Sequence, residues 1–270
     1  MGAAQNGNER AAASAYINMS AVAKVRKNFE RADELLWKSI HIMEKQGDEI
    51  GAAKCYHQLG VVADSRQDFD NAKRWYVKSI EISERLNDEI GAAETYYNLG
   101  EVAEEQRNNT AAEEWRQKAL HIYEQQGDAN RILQMAWKAQ DKLNYGNAET
   151  LYRKALEIAK QTGNAEFEGD SYLRLGFLAC QQHDYEASKK WYEKAFKICE
   201  KRGDTVCAVK ACISLGNLSL ANVLGSRRNF AAAEMWFRKA IEIDKNSMWS
   251  NRIRLHLRLW RYRVLSLFSK

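Results

Sequence analysis

The hexapeptide Asp-Glu-Ile-Gly-Ala-Ala stands at residues 48–53 and again at 88–93, forty residues on. Leu59-Gly60 returns as Leu99-Gly100, Leu175-Gly176 and Leu215-Gly216. A Lys, a small residue and an apolar one close each unit, as in Lys38-Ser39-Ile40, Lys78-Ser79-Ile80, Lys118-Ala119-Leu120, Lys154-Ala155-Leu156, Lys194-Ala195-Phe196 and Lys239-Ala240-Ile241. Self-similarity at a fixed period of this size constrains the fold more than any single residue. A unit this short cannot bury its own apolar face and must stack on its neighbours.

Within a unit the apolar spacing is helical. Tyr56, Leu59 and Ala63 fall at i, i+3 and i+7, and Ala72, Tyr76, Ser79 and Ile80 at i, i+4, i+7 and i+8. Each set occupies one stripe of a 3.6-residue helix. The polar Arg66-Gln67-Asp68 between them marks a turn. Units end at Asn87-Asp88, Gly127-Asp128 and Gly203-Asp204. Glycine suits a left-handed helix C-terminus, and the Asp after it can accept the orphan N–H groups of the next helix. The expected fold is therefore all-α: six helical hairpins at 11–48, 49–88, 89–128, 129–164, 165–204 and 205–248.

Small residues set how the two helices of a hairpin cross. Gly60 and Ala72 let the backbones approach, and Tyr56 and Tyr76 fill the wedge beside them. Residue by residue this resembles the tetratricopeptide repeat (TPR). The first half of its pattern appears as Tyr16-Met19-Ser20, Tyr56-Leu59-Gly60, Tyr96-Leu99-Gly100, Ile132-Met135-Ala136, Tyr172-Leu175-Gly176 and Cys212-Leu215-Gly216. The second half appears as Ala32-Leu36-Ser39, Ala72-Tyr76-Ser79, Ala112-Arg116-Ala119, Ala148-Tyr152-Ala155, Ser188-Tyr192-Ala195 and Ala233-Phe237-Ala240. The resemblance covers residues 11–246 and implies an α-solenoid, a right-handed superhelix of stacked hairpins. Two features depart from the family. The spacing is 40 where the family has about 34, and the chain has no proline. Longer helices account for both. The chain is similar in this to the long repeats of kinesin light chains, polarity adaptors and bacterial or archaeal signalling proteins, among which the residues do not choose.

The units are not uniform. Gly127 to Gly163 is 36 residues, so hairpin four lacks one turn of its first helix. Hairpin six gains five residues near Gly225-Ser226. Residues 1–10 are polar and expected to be disordered. The array then starts at Ala11 with no separate capping segment, as in a piece of a longer protein. Residues 249–270 hold six Lys/Arg and no acid, against +5 for the whole chain, so everything before them sums to −1. On a helical wheel Trp249, Ile253, Leu257, Trp260, Val264, Leu267 and Phe268 share one face. The expectation is a basic amphipathic C-terminal helix that caps hairpin six. The sharper alternative is weak contact with anionic membrane.

The chemistry of the chain points away from catalysis. It carries no Gly-rich phosphate loop, HExxH or GxSxG motif, and its five histidines are scattered. Its five cysteines show no CxxC spacing and read as reduced core thiols. No cofactor, metal or nucleic acid is expected. Without a secretory segment or a run of 18 apolar residues, the sequence reading places the chain in the cytoplasm.

The resemblance implies that first helices line the concave face, where the family binds peptides. Carried over by register, the candidate protein- or peptide-binding residues are Tyr97, Asn98, Leu133, Trp137, Leu173, Arg174, Phe177, Lys210 and Ile213, with Glu101, Glu104 and Glu105 at one end. An aromatic-lined groove with a polar rim suits a helix or an extended segment of another protein. The lysine set of the chaperone-binding clamp is absent. The expected function is a non-catalytic scaffold or adaptor for a protein or peptide. A regulatory or sensor segment of a larger signalling protein and a peripheral membrane assembly factor using the basic tail are the alternatives.

Overall fold

The computed structural model describes residues 2–221 and 227–244. The expected capping helix at 249–270 lies outside these, as does the insertion at Gly225-Ser226. The described residues form twelve α-helices and no strand. In the first compact unit, residues 1–126, they are α1 (Gly2–Val25), α2 (Phe29–Lys45), α3 (Glu49–Ser65), α4 (Phe69–Arg85), α5 (Glu89–Glu105) and α6 (Asn109–Gln125). In the second, from residue 127 on, they are α7 (Ala129–Asp141), α8 (Tyr145–Gln161), α9 (Ala165–Gln181), α10 (Tyr185–Arg202), α11 (Thr205–Ala221) and α12 (Arg227–Ile243). Each unit is a stack of three hairpins in which odd helices pair with the even helices that follow.

One three-residue connector recurs. Its middle residue is left-handed: Gly47 (φ 68°), Gly127 (φ 65°) and Gly163 (φ 67°), but also Lys27 (φ 59°), Gln67 (φ 63°), Asn87 (φ 56°), Arg107 (φ 61°), Leu143 (φ 61°) and His183 (φ 62°). Its last residue is always Asp or Asn, and the side chain accepts from a backbone N–H in the first turn of the next helix: Asp48 from Gly51, Asp68 from Asn71, Asp128 from Arg131 and Asn144 from Asn147. A cap of this kind contributes about 1 kcal/mol.

Close helix crossing explains the Leu-Gly pair. A Cβ on Gly60 would come 2.4 Å from the Tyr76 ring, one on Gly176 2.7 Å from Tyr192, and one on Gly216 2.6 Å from Phe237. These aromatic rings are buried in the crossing, each burial stabilising its hairpin by about 1.5–3 kcal/mol. The hydroxyls find partners where the sequence offers them: Tyr152 Oη donates to Gln140 Oε1 at 2.7 Å. Tyr76 Oη is buried without a partner among the described residues.

The structure departs from the sequence reading at three points. α1 runs from Gly2, where disorder to residue 10 was expected. Its early turns are tied to α2 by Lys45 Nζ to Glu9 Oε1 at 3.2 Å and Arg10 Nε to Gln46 Oε1 at 3.2 Å. Cys199 and Cys207 are not free thiols but a disulfide with Cα atoms 5.7 Å apart, across the turn from α10 to α11. Gly169 makes room for it, since a Cβ there would stand 2.9 Å from Cys199 Sγ and 3.1 Å from Cys207 Sγ. Cys55, Cys180 and Cys212 are free. Third, Leu133 is core and not groove: it is buried in α7. As expected for the shortened hairpin, α7 has 13 residues where α3, α5, α9 and α11 each have 17.

Candidate functional site

The nine candidate residues lie on first helices of both units. In the first unit, Tyr97 and Asn98 sit on α5, and the fold uses both internally. The Asn98 amide donates to His57 Nε2 at 3.2 Å. His57 therefore carries its proton on Nδ1 and donates to Thr95 Oγ1 at 2.9 Å, and Thr95 donates to the Gly91 carbonyl at 2.8 Å. Burial pushes the Tyr97 hydroxyl pKa up, and the Glu101 carboxylate adds to the shift.

The acids expected at one end of the groove are also engaged. Arg116 stands where hairpins two, five and six have Tyr76, Tyr192 and Phe237, and its Cγ would meet a Cβ on Gly100 at 3.1 Å. Its guanidinium donates to Glu101 Oε1 at 2.7 Å through Nη2 and at 3.2 Å through Nε, and also to Glu104. Burial pulls the Arg116 pKa down, but the hydrogen bonds to the two glutamates outweigh this and leave it raised. Glu101 and Glu104 thus neutralise an arginine inside hairpin three.

The second unit presents a different surface. Trp137 on α7 and Phe177 on α9 hold the same repeat position on successive first helices, and they keep 53% and 49% of their surface exposed. Leu173 and Ile213 are half-buried beside them in register, Leu173 packing on the cluster of Tyr192, Leu215 and Leu218. Arg174 pairs with Asp170 at 3.5 Å and stays half-exposed, while Lys210 is exposed. The result is an aromatic and aliphatic strip with cationic side chains at its edge.

Another repeated feature was overlooked in the sequence. Trp-x2-Lys occurs at Trp75-Lys78, Trp115-Lys118, Trp191-Lys194 and Trp236-Lys239. In three hairpins the Trp stacks on a first-helix Tyr: Tyr56–Trp75 (centroids 5.9 Å), Tyr96–Trp115 (5.4 Å) and Tyr172–Trp191 (5.8 Å). The Lys ammonium lies over a ring, 4.0 Å from Tyr56 for Lys78 and 4.4 Å from Trp115 for Lys118. At two joints the preceding hairpin adds a carboxylate. Tyr56 Oη donates to Glu44 Oε1 at 2.9 Å and accepts from Lys78 Nζ at 2.7 Å, and Tyr96 Oη likewise donates to Glu84. Among the described residues no cluster of three or more His, Cys, Asp or Glu has metal-binding geometry, and no helix is long and apolar enough to cross a membrane.

Stacked antiparallel hairpins with a glycine–aromatic crossing, capped by Asp or Asn at each turn, define a helical-repeat protein. Family comparison is more specific. The tetratricopeptide repeat profile matches residues 56–125 and 139–204, and a second profile of the same description matches 218–243. The chain belongs to the tetratricopeptide repeat family. No curated protein matches the sequence. Similar solved structures include the signal transduction ATPase with numerous domains from Pyrococcus horikoshii, a protein with a tetratricopeptide repeat sensor. It is 20% identical with a TM-score of 0.51, over 94% of this chain and 43% of that one. Aspartyl phosphate phosphatase F from Bacillus subtilis is 14% identical with a TM-score of 0.50, over 88% of this chain and 61% of that one. The apo form of RapI is 17% identical with a TM-score of 0.47, over 87% of this chain and 84% of that one. At these identities the likeness is one of fold.

Proposed function

We propose that the chain is a non-catalytic interaction scaffold that holds a peptide or protein segment against the first helices of its second unit. The observation that carries this reading is the exposure of Trp137 and Phe177 at one register position on α7 and α9. The ligand places apolar side chains between these rings and over Leu173 and Ile213, and meets Arg174 and Lys210 with acidic or carbonyl groups. The reading does not rest on Asn98, which is engaged with His57 between hairpins two and three, or on Tyr97, which is half-buried in hairpin three.

A second reading is a sensor segment of a larger signalling protein. It draws on the tetratricopeptide repeat sensor in the Pyrococcus horikoshii protein, of which this chain spans 43%. Both readings place the ligand on the same surface. The test is an affinity pull-down comparing the wild-type chain with a Trp137→Ala/Phe177→Ala variant of equal helicity by circular dichroism. A protein recovered only by the wild type supports the site. Equal recovery from both moves binding elsewhere on the molecule and defeats the proposal.

A further inference from the structure

The first hairpin carries half of a joint. Wherever one hairpin follows another in the first unit, the later first helix buries one stripe against its predecessor: Cys55, Leu59 and Val62 on α3, and Thr95, Leu99 and Val102 on α5. Forty residues before the α3 set stand Ala15, Met19 and Val22 on α1. There Met19 is 48% and Val22 53% exposed. They border a groove of about 500 Å³ that also takes in Arg26 of α1 and Leu35 of α2.

The polar half of the joint is open as well. Between hairpins one and two, Arg66 Nη1 donates to Asp33 Oδ2 at 2.8 Å, and Tyr56 with Lys78 receives Glu44. The equivalents in hairpin one are Arg26, Tyr16 and Lys38. Arg26 and Tyr16 have no side-chain partner among the described residues, and Lys38 is held only by Glu34 of its own helix. Asp33 and Glu44 are eleven residues apart on α2, three helical turns, so one helix can present both on one stripe.

We propose that this face is a docking site for an acidic amphipathic helix of another protein, seated as α2 is seated on α3. Its Asp meets Arg26, its Glu three turns later meets Tyr16 and Lys38, and its apolar stripe covers Met19 and Val22. The residue before that Glu is small. Met43 holds this place on α2 and lies over Gly51, where a Cβ would come 2.7 Å from its sulfur. α1 has Ala11 at the Gly51 position. A second copy is a poor occupant. A two-fold contact would set Arg26, Lys27 and Arg31 against themselves.

The probe is a labelled peptide of the α2 sequence, Phe29–Gln46 with Met43→Ala, titrated by fluorescence anisotropy against the full chain. Saturable binding is expected, weakened at least tenfold by Arg26→Glu and recovered when the peptide carries Asp33→Arg. Met19→Glu should abolish it while circular dichroism stays unchanged. The absence of saturable binding, or equal affinity for wild type and Arg26→Glu, overturns the proposal. So does a wild-type dimer in sedimentation that Met19→Glu dissociates, since that assigns the face to a second copy.

Discussion

Arg116 is the residue whose removal tests the packing argument most directly. It occupies an aromatic position at the crossing of α5 and α6, with 18% of its side chain exposed against 20% for Glu101 and 35% for Glu104. Arg116→Ala leaves two carboxylates side by side in a mostly desolvated crossing and opens a void over Gly100. Deleting one partner of a fully buried ion pair costs about 3–5 kcal/mol. With a fifth to a third of each glutamate still in water, a cost of about 2–4 kcal/mol is expected here. In a protein of this size that lowers the melting temperature by roughly 4–16 °C, at about 2–4 °C per kcal/mol. Repeat arrays can unfold in pieces, so hydrogen exchange of α5 and α6 should accompany urea denaturation. Combining Arg116→Ala with Glu101→Gln and Glu104→Gln should recover part of the loss, because the penalty lies in stranded charge and not in a lost attraction. A change below about 0.5 kcal/mol for Arg116→Ala, the level of ordinary surface substitutions, would refute the reasoning.

Three further outcomes are expected. Ser83 takes the place of Met43 at an otherwise similar joint, beside a cavity of about 410 Å³. Ser83→Met should fill it and raise stability by about 1 kcal/mol, read as a higher melting temperature. Burial pushes the Tyr152 and Tyr192 hydroxyls up to about 12, outweighing the opposing pull of Arg174 on Tyr152 and of Ser214 and Ser188 on Tyr192. The folded state then holds protons that the unfolded chain releases near pH 10, so stability present below pH 10 should be lost between about 10 and 12, followed by ultraviolet titration and urea melts. Reducing Cys199–Cys207, eight residues apart, should destabilise the second unit by about 2–3 kcal/mol on the chain-entropy account. Cys199→Ser should make the chain insensitive to reductant.

The hairpins were legible because identical letters recur at one spacing, and because Asp48, Asp88 and Asp128 end a polar turn ahead of an apolar helix. The exceptions were visible but not their consequences. Ala112-Arg116-Ala119 breaks the aromatic pattern, yet Arg116 meets Glu101 and Glu104 only across the hairpin, at separations a single-helix reading does not pair. The Trp-x2-Lys recurrence was equally open to view. Its function in joining hairpins depends on Tyr56 and Tyr96, which lie on other helices. The disulfide was hidden, because Cys199 and Cys207 approach only through the turn after α10 and the space left by Gly169. Register put Leu133 in the expected groove with Trp137 and Phe177, but it does not say which side of a 13-residue α7 faces the core, and Leu133 is buried.

The three-residue connector has a consequence for how such a chain can change length. Its geometry depends on one left-handed residue and one capping side chain, and on nothing in the body of either helix. A helix can therefore lose or gain a whole turn and still deliver the same stripe to the next hairpin, whereas a change of one or two residues rotates that stripe out of phase. α7 is shorter than its counterparts by four residues, close to one turn, and the connectors before and after it are intact. Insertions and deletions in this chain should accordingly come in steps of a turn or of an entire hairpin, and a one-residue deletion within α5 or α9 should be tolerated less well than a four-residue one.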